Sequence, residues 1–196
     1  EIRAFLPQAK AVSVNREGAA PVAMTRQHTE GFFVASFKKE PGLYQLEIED
    51  YQGGRAVLED PYRFGPLISE FDLHLHAEGN LHETWNTLGA HVTQLGAISG
   101  VRFAVWAPTA AYVSVVGDFN EWDTRRHPMR LRTSGVWEIF IPGAGPGQAY
   151  KYLVRSKVDG HQQLKADPFG FGSEVPPRSA SVIRAANTYK WNDAEW

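Results

Sequence analysis

Pro7-Gln-Ala-Lys-Ala-Val-Ser-Val14 and Pro108-Thr-Ala-Ala-Tyr-Val-Ser-Val115 share their proline, their closing Val-Ser-Val and the spacing between the two. A proline followed by a β-branched run reads as a turn leading into a strand. The correspondence continues outward from this pair. Gly31-Phe-Phe33 matches Gly135-Val-Trp137, and Tyr44-Gln-Leu46 matches Tyr150-Lys-Tyr152. Asp60-Pro-Tyr-Arg-Phe-Gly65 matches Asp167-Pro-Phe-Gly-Phe-Gly172. Order and approximate spacing persist across the whole unit, so the chain reads as two copies of one small β-sandwich in tandem.

The runs between these markers have the period of strands. Tyr44, Leu46 and Ile48 fall on one face, with Gln45, Glu47 and Glu49 on the other. Val101, Phe103 and Val105 oppose Arg102, Ala104 and Trp106, and Trp137, Ile139 and Ile141 share a side. Gln52-Gly53-Gly54-Arg55 and Asp159-Gly160 are expected hairpin turns, the second a two-residue one. Between Leu67 and Glu78 the apolar residues are scattered at mixed spacing, which suggests a short helix acting as a connector. The expected organisation is all-β: a first module over 1–65 with a shortened first strand, a partly helical connector over 66–90, a second module over 91–184, and a linker over 185–196.

Composition closes off several functions. The chain has 196 residues, 43% of them hydrophobic and 21% charged, enough to bury a sizeable core. Net charge is −2 with acids and bases interspersed, so neither nucleic acid nor a membrane is an expected partner. There is no cysteine and no signal-peptide pattern, and the chain is expected in the cytoplasm. Its start at Glu1, without an initiator Met, reads as a piece of a longer protein. Gly143-Ala-Gly-Pro-Gly147 lacks the following helix and Lys-Ser/Thr of a phosphate loop and is expected to be a plain turn. His74, His76, His82 and His91 are expected to be solvated rather than metal-binding, and Arg125, Arg126, Arg130 and Arg132 to form a solvated basic face or a contact to another domain. No cofactor, metal or catalytic acidic pair is expected.

The residue most open to a functional reading is Trp122. The run Val113–Val116 breaks at Gly117 and delivers Asn120 and Trp122 onto a loop that the first copy lacks. A large aromatic just past a strand end either packs over a core edge or offers its flat face to a ligand. Asn120 is expected to fix the loop through backbone hydrogen bonds, while Trp106 and Trp137, being on strands, are expected in core or interface.

Together, Val101-Arg-Phe-Ala-Val-Trp-Ala-Pro108, Gly117-Asp-Phe-Asn-Glu-Trp122, Arg126-His-Pro-Met-Arg130, Gly135-Val-Trp-Glu-Ile139 and Tyr150-Lys-Tyr152 resemble bacterial glycogen branching enzymes. Residues 91–184 look like the carbohydrate-binding module that precedes the catalytic barrel in that family, and residues 1–65 like its additional N-terminal module. Asp60–Leu67, Leu88-Gly-Ala-His91 and the Tyr189–Trp196 tail fit the same pattern. The resemblance implies two immunoglobulin-like sandwiches and a parent enzyme that cuts α-1,4-glucan and rejoins it through α-1,6 bonds. Its carboxylate pair would lie in the barrel, none of whose sequence regions is found here. It also implies α-glucan (glycogen, maltooligosaccharides) and the parent's own barrel as partners, Trp122 with Lys151 and Asn120 as glycan contacts, and Trp191 and Trp196 as docking residues for the barrel. Where related modules carry a second stacking tryptophan after an Asp-Gly hairpin, this chain has Asp159-Gly-His-Gln162, with Ser179 and Ser181 near the later contact positions. The alternative is a non-catalytic glycan-targeting or protein-interaction sandwich.

Overall fold

The computed structural model describes residues 1–185, so Trp191 and Trp196 lie outside the described residues. The chain divides into two compact units, one over Glu1–Gly65 and one from Pro66 onward. The first unit is built of β1 (Ile2–Phe5), β2 (Ala9–Asn15), β3 (Val22–Ala23), β4 (Thr25–His28), β5 (Phe32–Ala35), β6 (Gln45–Asp50) and β7 (Arg55–Leu58). They form two antiparallel sheets, in the orders β1-β5-β4 and β3-β2-β6-β7. Strand alternation turns Ile2, Ala4, Val12, Val14, Phe33, Tyr44, Leu46 and Ile48 into one core. At Gln52–Arg55 the hairpin forms with Gly53 at φ +89, a conformation that glycine adopts without a Cβ clash.

The second unit contains α1 (Glu70–Glu78), α2 (Thr84–Thr87), β8 (Gly89–Leu95), β9 (Ile98–Trp106), β10 (Ala110–Gly117), β11 (Arg130–Leu131), β12 (Val136–Pro142), β13 (Ala149–Ser156), β14 (Gln162–Lys165) and β15 (Ser181–Val182). One sheet runs β11-β12-β9-β8, the other β10-β13-β14 with β15 on β13. Their inner faces enclose Val101, Phe103, Val105, Val113, Val115, Trp137, Ile139, Ile141, Tyr150 and Tyr152. The Phe103 ring meets Tyr150 edge-on at 5.0 Å.

The repeat read from the sequence recurs bond for bond. The Met24 N–H donates to Val12 O as Met129 does to Val113 O, both at 2.8 Å. The Leu6 N–H donates to Gly31 O as Ala107 does to Gly135 O. Both copies have a bulge at the start of the long strand, between Ala9 and Ala11 and between Ala110 and Tyr112. The Tyr44 hydroxyl donates to the buried Asp60 carboxylate at 2.5 Å, and the Tyr150 hydroxyl to that of Asp167 at 2.7 Å. Each aspartate also accepts a backbone N–H two residues on, from Tyr62 and Phe169. Burial pushes both carboxyls up in pKa, against the opposing pull of these hydrogen bonds.

Three readings differ from expectation. The stretch 66–90 is packed into the second unit: Ile68, Leu73 and Leu88 close over Ala104 and Val136, on the outer face of β9 and β12. Helix α1 is capped by the Ser69 hydroxyl, which accepts from Asp72 N–H, and ends at Gly79 with φ +76. The Asp159-Gly160 hairpin is not two-residue, because Ser156 N–H pairs with His161 O and leaves Lys157–Gly160 as a four-residue loop. In the basic run acids engage Arg125, which stays exposed, Arg126, and Arg132, whose side chain is buried. Arg125 binds Asp123, Arg126 lies 3.6 Å from Glu121, and Arg132 is buried against Glu138 at 2.6 Å and Glu70 at 2.5 Å. Glu138, on the strand face opposite Trp137, is only 2% exposed and also accepts the Leu67 and Ile68 N–H groups.

Candidate functional site

The loop after β10 is built from backbone outward. Gly117 is extended, and a Cβ there would stand 2.4 Å from Ala149 O, so glycine is required by space rather than by dihedral. A single 3-10 turn over Asp118–Asn120 follows, and Glu121 and Trp122 both take left-handed φ, +57 and +60. Non-glycine residues hold that region only when their surroundings over-determine it.

Those surroundings are specific. Asn120 is fully buried; its Oδ1 accepts from Gly117 N–H, and its Nδ2 donates to Val115 O and meets His127 Nδ1 at 3.0 Å. Its amide is thus consumed inside the loop, and Asn120 shapes the site without presenting itself to a ligand. Burial drives the His127 pKa down to about 3, with the nearby Arg126 charge adding to the shift, so the imidazole that receives the Asn120 N–H is neutral. The Phe119 ring turns inward against Phe103 at 5.3 Å, anchoring the turn in the core.

Trp122 is left 39% exposed at the tip. Its backbone N–H donates to Gly117 O, and its indole N–H donates to Asp118 Oδ1 at 3.0 Å. Asp118 is held in turn by its other oxygen, which accepts from Ala149 N–H at 2.7 Å. Sequence reading missed this aspartate, although it lies in the Gly-Asp-Phe-Asn motif itself. The indole is therefore tied down by its polar edge.

Lys151 shares the outward face of β13 with Ala149, two residues and roughly 7 Å along the strand. Its ammonium donates to the Ser179 hydroxyl at 2.8 Å. The Lys151 ammonium thus reaches Ser179, and Trp122 is linked through Asp118 to Ala149 at the start of the strand that carries Lys151. Ser181 is excluded: it is buried, and its hydroxyl accepts from Asp167 N–H. Chemically Trp122 offers a flat apolar surface and Lys151 a hydroxyl-bonding cation, group types that suit a polar ligand with apolar C–H faces. Trp137 belongs to the core, donating its indole N–H to Ala107 O, while Trp106 is exposed and edge-on to His76. Among the described residues no group of three histidines or acids is placed to hold a metal ion.

Comparison with known proteins gives matches over both units. Residues 1–62 match the model of the alpha-1,4-glucan branching enzyme GlgB N-terminal domain, and residues 87–170 match carbohydrate-binding module 48, the isoamylase N-terminal domain. Over its full length the chain is 47% identical to 1,4-alpha-glucan branching enzyme GlgB of Rubrobacter xylanophilus, of which it spans 27%. It is 50% identical over 198 residues to that of Pseudomonas fluorescens, spanning 26%. The chain thus covers about a quarter of these relatives. Among solved structures, pullulanase type I from Bacillus subtilis complexed with maltose aligns at TM-score 0.46 and 17% identity, over 94% of this chain and 24% of that one.

Proposed function

We propose, for a chain whose two units belong to the branching-enzyme N-terminal domain and carbohydrate-binding module 48 families, that it handles α-glucan for a 1,4-α-glucan branching enzyme. In that reading the parent protein transfers α-1,4-linked segments to form α-1,6 branches. The carboxylates for such retaining chemistry lie in its barrel. This chain supplies glucan positioning and braces the barrel in the cytoplasm. No helix among the described residues is long and apolar enough to cross a membrane.

The observation that carries the proposal is the fixed indole of Trp122. With its N–H occupied by Asp118, the ring contributes only its face, which suits the C–H surface of a glucose residue. The Lys151 ammonium and the Ser179 hydroxyl, already in register with each other, bond sugar hydroxyls beside it. One exposed tryptophan and one cation make a shallow site, so weak binding is expected.

The test is calorimetric titration of the chain with maltoheptaose. Weak binding that Trp122→Ala abolishes or reduces at least about ten-fold, the scale of one lost stacking contact, supports the reading. Tight binding indifferent to that substitution refutes the role of Trp122. In an iodine-staining assay on amylose the chain alone is expected to make no branches.

A further inference from the structure

The second unit carries an open cleft of about 570 Å³ on its other sheet, at the edge formed by β8. Such a volume falls within the range of roughly 300–1,000 Å³ typical of small-molecule sites. Two aromatic rings line it and are left uncovered: Trp85 on α2 is 50% exposed and Phe171 is 53% exposed. His91 and Val92 of β8 and the side chains of Asn86 and Arg184 complete the walls used below.

These groups are held by buried structure. The Arg102 guanidinium donates to Thr87 O at 2.5 Å and to Asn86 O at 3.0 Å, pinning the short helix that carries Trp85. His91 is bonded through Nε2 to Leu88 O at 2.8 Å and meets the Phe171 ring edge-on at 5.5 Å. The shaft of Arg184 lies over Gly172, where a Cβ would come within 2.5 Å of its Nε. Among the described residues, Arg184 has no ion pair and no acid lines the cleft. Among these residues a cationic ligand or metal ion finds no counter-charge. An uncharged chain with alternating apolar faces and hydroxyl rims meets all the groups present.

We propose that this cleft is a second α-glucan site, in which the rings of Trp85 and Phe171 cover the faces of glucose residues while Arg184 and Asn86 Oδ1 bond their hydroxyls. It rests on the reading that the chain handles α-glucan, but not on Trp122. A chain with two separate contacts would grip a long glucan at two points, gaining avidity that neither shallow site has alone.

The experiment is titration of maltoheptaose into the Trp122→Ala chain, alone and combined with Trp85→Ala, Phe171→Ser or Val92→Arg. The last fills the cleft from an exposed strand position and leaves both rings in place. Residual binding should survive Trp122→Ala and weaken at least about five-fold with each cleft substitution. Binding abolished by Trp122→Ala alone overturns the second site and leaves the first. Binding lost through Trp85→Ala or Val92→Arg yet untouched by Trp122→Ala keeps the cleft and removes the first site. Residual binding that ignores all three cleft changes overturns the inference, and so does equal binding of cellopentaose, a β-linked glucan. No binding by the unsubstituted chain removes both.

Discussion

Replacing Glu138 by alanine should cost the second unit about 3–5 kcal/mol, the range for removing one partner of a buried ion pair. The figure follows from what the carboxylate touches. It is 2% exposed, accepts the Leu67 and Ile68 N–H groups at 3.1 Å each, and pairs with Arg132 at 2.6 Å. Without it the two amides lose their acceptor, at about 1–3 kcal/mol apiece when no water replaces it. Arg132, itself buried, retains the Ile68 carbonyl and an exposed Glu70, which keeps the total below the simple sum. For a unit of this size each kcal/mol lowers the melting temperature by roughly 3–5 °C, so a fall of about 10–20 °C is expected. Tryptophan emission is the right probe because the first unit has no tryptophan, while Trp85, Trp106, Trp122 and Trp137 lie in the second. Glu138→Gln, which keeps the shape and one acceptor but not the charge, should lie in between. A loss below about 1 kcal/mol for Glu138→Ala, the scale of a surface pair, would refute the argument that this network clamps 66–73 onto the sheet.

Two further outcomes follow from the same structure. Gly31→Ala and Gly135→Ala should each destabilise their own unit, since both glycines have positive φ and the new Cβ would sit 2.5 Å from Pro7 Cα or 2.6 Å from Pro108 Cα; urea unfolding followed by circular dichroism and by tryptophan emission separates the two, and an unchanged midpoint for either would contradict the close approach. His127 has a folded pKa depressed to about 3, so its contribution is fully present above the ordinary histidine value near 6.5 and is lost as pH falls from there towards 3. Stability of the second unit should therefore decline by up to about 1.4 kcal/mol per pH unit below 6.5 from this group, and His127→Gln should flatten that slope; an identical slope in the variant would rule out His127 as its source.

The repeat was legible in the sequence because it is written in residues with few alternatives. Gly31 and Gly135 face prolines too closely for any side chain, and Tyr44 and Tyr150 each need a buried acceptor. Glu138 was not legible. Alternation placed it on an outward face, which in an isolated sandwich is solvent. Here that face is covered by a segment some seventy residues earlier, whose own mixed spacing reads as a connector. The basic run misled for the same reason, since Arg132 and its acids meet only in the fold. At the site, loop position singled out Trp122, and the backbone role expected of Asn120 matches its burial. The grip of Asp118 on both Trp122 and Ala149 depends on where the loop closes against β13, which no local pattern encodes.

The left-handed pair Glu121 and Trp122 has a temporal consequence. Each such residue stores on the order of 1–3 kcal/mol of backbone strain, and the Asn120 and Asp118 bonds hold it in place from the moment the loop folds. The indole is thus oriented before any ligand arrives, and little rotamer freedom remains to be lost at encounter. On the proposed glucan-binding reading, association at this ring should proceed in a single fast phase, its lifetime set by how quickly the ligand leaves rather than by how slowly the protein rearranges.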